Sequence, residues 1–453
     1  MDTSAISVFT EMTNALNERR AEVSIYRDYY AGRQRVEFSG EAAQSAFGKK
    51  LERLTCNRCA GVVDALADRL QIIGFTEEGG DASAVDAIWS ANRMDLVQGD
   101  VHQEALISGD AYLLVWPDLR TGMPVIFPHP ADRMITLAST ENPRQTEAAM
   151  KVWRMRNGRW RANIYLSDRL EKYATKAVSD DIPADPRVWE VYQDQADLTW
   201  PIAYDPTWAG AVPVFRFANN ARLGEPGRSE LRDIIPLQDR YNQTLANLAV
   251  TEEHQSFRQR WATGIQLMRD PETGRVLPPF KAGPGDLWIS TSDSTKFGDF
   301  DAADLRQFLE TAEGWEMRIA RTSRVPIHYL LMSGTPLSGE ALKTAEAPFV
   351  SKIQDRQRAF GSSWVDAMTF AAKIAGVDVS LDTVWQHAET RSERDFWEIA
   401  QARRDRGVSD QAILREWGYT QEEILRFEEE ISASDTVTGN AVARAFNAGT
   451  SLV

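Results

Sequence analysis

Apolar residues in the first hundred positions recur at steps of three and four, as they do on helices with one buried face. Leu16, Ile25 and Tyr29 mark such a face between about residues 11 and 31, with Gly32 as its stop. A second helix is expected over about 51–70, where Cys59, Val62, Val63, Leu66 and Leu70 share a stripe, and residues 71–75 then read as a short strand. Two more helices follow, over 81–92 with Val85, Ile88 and Trp89, and over 96–108 with Val101, Ala105 and Leu106. Gly109-Asp110 interrupts the second, and residues 112–116 form a strand. From there to about residue 217 the pattern changes to β. Runs at 123–127, 150–156, 160–166 and 187–192 are rich in aromatic and β-branched residues. Asn157-Gly158 lies between two of them and is a strong hairpin signal. Pro213, Val214, Phe215 and Phe217 close the block, so residues 1–225 read as one α+β domain.

After Gly224 and Gly227 the chain turns helical. Ile234, Leu237, Tyr241, Leu245 and Leu248 keep one face toward residue 262, with Pro236 in the first turn or kinking it. Residues 263–301 hold Pro271, Pro278, Pro279, Pro284 and five glycines between short apolar runs, and read as a small β-rich insertion. A returning helix over 302–321 carries Leu305, Phe308, Leu309, Ala312 and Ile319. The result is a stalk with a knob. A short segment around Val325-Pro326 leads to a long helix over about 338–375, with Leu342, Ala345, Phe349, Ile353, Phe360, Trp364 and Met368 on its buried side and a bend expected at Pro348. Two or three short helices end the chain. Ser392-x-x-Asp395 opens one, Gly407 ends it, Thr420-x-x-Glu423 forms a capping box, and the tail beyond Ile431 is expected to be poorly ordered.

Composition narrows the function classes. A chain of 453 residues exceeds one ordinary core and suggests two to four structural units. With 51 basic against 66 acidic residues the net charge is −15, which disfavours a conventional tight nucleic-acid binder. No apolar run approaches the ~18–20 residues of a membrane span. The N-terminus lacks the basic and apolar regions of a signal peptide, so the expectation is a protein made and used in a cytoplasm. Arginine outnumbers lysine 41 to 10, a bias typical of a GC-rich host genome.

Candidate chemistry is sparse. Cys56 and Cys59 form a lone C-x-x-C without a second ligand pair and read as core thiols; His102, His129, His254, His328 and His387 have no metal-ligand spacing. No phosphate-binding G-x-x-x-x-G-K-[ST] loop, G-x-S-x-G elbow or H-E-x-x-H helix is present. Asp299 with Asp301, or the run Glu428-Glu429-Glu430, would be the basis of an alternative reading as a metal-dependent cytoplasmic hydrolase or nuclease, although such carboxylates more often form a solvated face. Arg403, Arg404 and Arg406 sit among Asp395, Glu398, Asp405, Asp410 and Glu416, which argues against a DNA-reading helix-turn-helix. The small polar loop of Met332, Ser333, Gly334, Thr335, Pro336, Leu337 and Ser338 joins two long helices, either as a plain connector or as a functional loop on a rigid scaffold.

The order of these parts resembles the portal protein family of tailed bacteriophages, in the branch found in siphoviruses of Gram-positive, actinobacterial-type hosts. The stretches that carry the resemblance are Tyr29-Tyr30-Ala31-Gly32, the helix from Asn57 through Val62-Val63-Asp64-Ala65-Leu66 to Ile73-Gly74-Phe75, and Ala105-Leu106-Ile107-Ser108-Gly109-Asp110-Ala111-Tyr112. Val212-Pro213-Val214, Gly227-Arg228-Ser229-Glu230-Leu231, Ile235-Pro236-Leu237-Gln238-Asp239 and Arg324-Val325-Pro326 extend it, over about residues 15–430 in all. The resemblance implies a non-enzymatic ring of twelve subunits at one capsid vertex, without cofactor, metal or membrane. It is assembled in the host bacterial cytoplasm with major capsid and scaffolding proteins. Double-stranded DNA is packaged through its tunnel by the terminase large subunit and later ejected past a head–tail adaptor.

By position the resemblance makes residues 1–225 an α+β wing, and 226–262 with 302–324 a stem. Residues 263–301 become a β-rich clip that docks terminase and adaptor, with Arg269, Asp270, Glu272, Arg275, Lys281 and Trp288 as its candidate contacts. Residues 325–375 hold the DNA-facing tunnel loop, 332–338, and a long bent wing helix, and 376–453 a helical crown with a flexible tail. The loop departs from a DNA-gripping expectation: it has no Lys or Arg, the nearest being Arg324 and Lys343.

Overall fold

In the computed structural model, residues 3–34, 55–77, 83–118, 120–194, 197, 199–256, 260–265, 269, 271, 273–275, 294–299, 303–330, 339–389, 393–416, 424, 426 and 427 are described. Helix α1, Thr3–Tyr30, serves two cores. Its first half sets Phe9, Met12 and Leu16 against an antiparallel sheet of β4 (Met134–Ala138), β5 (Thr146–Arg154), β6 (Trp160–Tyr165), β7 (Arg169–Thr175) and β8 (Trp189–Val191), paired in that order. A short strand β9, Ile202–Ala203, adds to β7. The second half of α1 turns Val23 into the larger core.

That larger core collects α2 (Cys59–Ala67), α3 (Ser83–Ala91), α4 (Met94–Ser108) and a sheet ordered β10-β2-β3. Here β2 is Asp110–Pro117, β3 is Pro124–Pro130 and β10 is Val214–Ala218. Strand β3 carries three prolines and tolerates them because it lies at the sheet edge. Asn57 starts α2: its Oδ1 accepts from the backbone N–H of Cys59 (3.0 Å), while its Nδ2 donates to Tyr30 O (2.7 Å) and ties the helix to the end of α1.

The second half of the chain contributes α5 (Ile235–Ser256), β11 (Arg260–Thr263), β12 (Lys296–Asp299) and α6 (Arg306–Ser323). The one-turn helix α7 (Ile327–Leu330) and the 36-residue α8 (Gly339–Ile374) follow. Helix α8 continues through Pro348 and lays Phe349, Ile353, Phe360, Trp364 and Met368 into the larger core. Two short helices, α9 (Glu393–Arg404) and α10 (Asp410–Glu416), bury Ala400 against Ile413. The Thr420-x-x-Glu423 box and the tail beyond Ile431 lie outside the described residues.

Several expectations need correction. The first helix begins at Thr3, because Phe9 and Met12 have a sheet of their own to cover. The helix expected over 226–262 starts only at Ile235 and is described as far as Ser256; residues 227–230 are kept out of it by hydrogen bonds to Asn219, Asp110 and Leu106 O. Pro236 is its second residue, where the missing N–H needs no partner. Residues 157 and 158 do form the expected turn between β5 and β6, with Gly158 at φ 82°. Strands β4, β7 and β13 (Leu381–Trp385) were not expected; β13 pairs antiparallel with β1 (Ile72–Glu77), three hundred residues upstream.

His102 is fully buried in the larger core. Its Nε2 accepts from Trp364 Nε1–H (2.8 Å), so its Nδ1–H donates to Leu70 O (2.8 Å). The ring stacks on Phe360 at 5.4 Å. Burial pushes its pKa down to about 4, and burial with the charges of Lys151 and Arg133 pushes half-buried His129 down to about 3. Both are neutral in the fold, whereas the unfolded chain takes up their protons below about pH 6.5. Stability is therefore fully present above that pH and falls as the pH drops toward 4. His102 alone accounts for a loss on the order of 2 kcal/mol between pH 7 and pH 5. The urea midpoint is expected to fall over that interval, by less in His129→Gln; a flat profile would contradict the assignment.

Candidate functional site

Helices α5 and α6 pack against each other and are joined at their far end by the antiparallel β11–β12 ribbon, with Trp261 opposite Gly298. At 1.5 Å per residue the 22 and 18 residues give rods of roughly 33 and 27 Å. Near the body the pair buries Tyr241, Ala246, Ala312, Ile319 and Ala320. On the returning helix Leu309 and Met317 are exposed, and so are Glu310, Glu313 and, ahead of it, Asp304.

Polar groups lock the base of this stalk onto the body. Arg58, one residue ahead of α2, donates from Nε to Glu316 Oε1 (2.7 Å), and Glu316 is buried on α6. Gln238 of α5 accepts from Arg58 N–H (2.8 Å) and donates to Cys56 O (2.6 Å), while Asn242 accepts from Cys56 N–H (3.2 Å). Both cysteines are free thiols. Burial pushes the Cys59 thiol up to about 12, which makes it a packing group rather than a nucleophile.

A second lock lies ahead of α5. The Glu230 carboxylate accepts from Lys352 Nζ (2.6 Å) and Arg356 Nη2 (3.0 Å), both on α8, and Lys352 also donates to Ser323 O at the end of α6 (2.8 Å). Burial alone would raise the Glu230 pKa, but the two cations and their hydrogen bonds outweigh it and hold the carboxyl below its ordinary value. A third lock closes the turn at Gly227. Asp110 pairs with Arg19 (2.9 Å) and Arg216 (2.7 Å) and accepts from Gly227 N–H (3.1 Å), and Arg19 reaches Gly227 O (2.7 Å) and Ser108 O (2.6 Å). Sequence reasoning missed all three as charge clusters. Yet Asp110 and Glu230 both stand inside the short motifs that carry the portal resemblance.

The loop of Met332 to Ser338 lies outside the described residues, and only its flanks have a geometry to report. Leu330 is buried, His328 Nε2 stands 3.2 Å from Glu346 Oε1 on α8, and Tyr329 accepts from Arg69 Nη2 (2.7 Å). Of the clip candidates, Arg269 and Arg275 are exposed, whereas Asp270, Glu272, Lys281 and Trp288 lie outside the described residues. Asp299 closes β12, and Asp301 and residues 428–430 fall outside as well. Among the described residues no group of three His, Cys, Asp or Glu side chains could hold a metal ion, and no helix is long and apolar enough to cross a membrane.

Comparison with known proteins decides the family. The model of the phage portal protein family, SPP1 Gp6-like, matches residues 11–436. The chain belongs to the phage portal proteins. Its relatives include the portal protein of Mycobacterium phage D29, 25% identical over 449 residues and covering 93% of this chain and 88% of that one. The portal protein of Mycobacterium phage L5 is 25% identical over 400 residues, covering 84% and 78%. A chain from the neck of a native gene transfer agent particle, solved with C12 symmetry, aligns at 10% identity and TM-score 0.45 over 84% of this portal chain and 94% of that one. The carboxylate hydrolase reading gains no support from any of these relatives.

Proposed function

We propose that copies of this portal chain close into a ring, twelve as the family resemblance implies, at one vertex of the capsid. Double-stranded DNA passes through the ring during packaging and ejection, and the chain itself catalyses no step. The observation that carries this reading is the helix pair α5–α6, tipped by a β ribbon and locked to a two-core body. In it the body, residues 1–225, acts as wing and the pair 226–262 with 302–324 as stem. Residues 263–301 act as the clip that meets the terminase large subunit and then the head–tail adaptor. The loop 332–338 faces DNA, α8 backs it, and residues 376–453 form the crown. Capsid and scaffolding proteins surround the ring, which assembles in the host cytoplasm and remains in the virion.

The exposed apolar residues of the stem, Leu309 and Met317, fit a neighbour's surface. The net charge of −15 suits a wall along which DNA slides without being held, because phosphate contacts in a ring multiply with every subunit. Assembled rings should therefore bind duplex DNA weakly at physiological salt.

The site assignment is tested with a photoactivated crosslinking residue at Thr335 in filled particles, and at Arg275 in packaging reactions. DNA adducts from position 335 and terminase adducts from position 275 are expected. Adducts to neither, in particles that package normally, would overturn the assignment of loop and clip.

A further inference from the structure

A recess of about 240 Å³ opens where the turn before α5, the end of α6 and the middle of α8 meet. Five cationic side chains line it against three carboxylates, a local excess of positive charge in a chain of net charge −15. Glu230 is already held by Lys352 and Arg356, and Asp355 by Arg358. The guanidinium groups of Arg228, Arg232 and Arg324 make no hydrogen bond or ion pair with any described residue. Arg356 is 8% exposed, and among the described residues its Nε–H has no acceptor. A buried donor left unpaired costs free energy, about 1–3 kcal/mol and more for a charged group, so an acceptor that reached it would be held firmly.

We infer that this recess receives a side-chain carboxylate from the neighbouring copy in the ring. The inference rests on the ring reading and adds a specific contact to it. Guanidinium forks match the planar geometry of a carboxylate and bind it in pairs of parallel hydrogen bonds. In a closed ring each contact joins two different surfaces of the chain. Copies that each carry −15 repel one another unless acidic residues of one meet a basic concavity of the next. The recess provides that concavity where stem joins body, at a position fixed by the Glu230 lock.

The test is a triple variant, Arg228→Gln with Arg232→Gln and Arg324→Gln, compared with the unaltered chain by mass photometry over a concentration series at low and high salt. The three side chains carry no hydrogen bond or ion pair to the described residues, so the thermal midpoint of the dilute chain should be unchanged. The concentration for half-assembly should rise about tenfold or more, and the salt dependence of assembly should shrink. Arg324→Glu alone, at an exposed helix end, should raise it in the same direction even if the triple variant folds poorly. Assembly of both variants at the unaltered concentration would overturn the inference while leaving the ring intact. Unaltered assembly with loss of duplex-DNA retention would also overturn it, assigning the recess to a phosphate. An unaltered chain that never assembles, even with capsid and scaffolding proteins added, would overturn the ring reading and this contact together.

Discussion

Gly227→Ala is expected to abolish folding or lower stability by more than about 4 kcal/mol, the range reserved for a steric conflict that nothing nearby can relieve. A Cβ at Gly227 would lie 1.9 Å from Gly109 O, and a Cβ at Gly109 would lie 2.3 Å from Gly227 O. The two backbones touch face to face, and Gly109 sits at φ 88°, in the left-handed region that favours glycine. Neither chain can back away. Asp110 and Arg19 bridge the two glycines, Asn219 N–H donates to Gly109 O (2.8 Å), and Glu230 N–H donates to Leu106 O (2.9 Å). The loss should extend to assembly, because this turn leads directly into the Glu230 lock under the stem. Gly99→Ala is the matching control. Position 99 lies in the exposed side of α4 with open space around it, and alanine there should raise stability by about 0.8–1 kcal/mol. Urea midpoints of the two variants should move in opposite directions, and a mild effect at Gly227 would refute the tight approach.

Trp364→Ala is expected to cost about 3–5 kcal/mol. Trp364 is fully buried and is the largest of the fully buried side chains. Its ring meets Trp89 and Phe217 edge-on, both at 5.0 Å, and its Nε1–H satisfies His102. Alanine leaves a cavity and an unpaired imidazole nitrogen together. Trp364→Phe separates the two: it keeps most of the volume and should cost only about 1–3 kcal/mol, the penalty of the unsatisfied His102 Nε2. Equal losses for the two variants would show that the hydrogen bond, rather than the packing, carries the site. For a body at the lower end of the usual 5–15 kcal/mol, about 5 kcal/mol, the alanine variant stands near unfolding.

The parts of the fold that were legible in the sequence have local signals. The long helices announce themselves by spacing, and Asn157-Gly158 announces its hairpin. Strand β7 does not, because Glu171 and Lys172 are buried in it as ion pairs, with Arg169 (2.9 Å) and with Asp197 (2.6 Å). Two charges in the middle of a strand erase the alternation by which a strand is read. Strand β13 is short and half-polar, and its partner β1 lies too far along the chain for any local pattern to predict the pairing. The locks beneath the stem were illegible for a related reason. Arg58 and Glu316 are 258 residues apart, and each alone looks like an ordinary surface charge. What the sequence did hold was their neighbourhood: the motifs around Asp110 and Glu230 are where the backbone must bend tightly over buried charge.

Ring assembly is the property that most directly separates a portal subunit from a solitary globular chain. Negative-stain electron microscopy of the purified chain, with its solution mass measured over a range of concentrations, is the decisive measurement. Rings with a central hole and a mass twelve times 50.9 kDa are the predicted result. A single particle of 50.9 kDa at every concentration, still alone when capsid and scaffolding proteins are added, would contradict it.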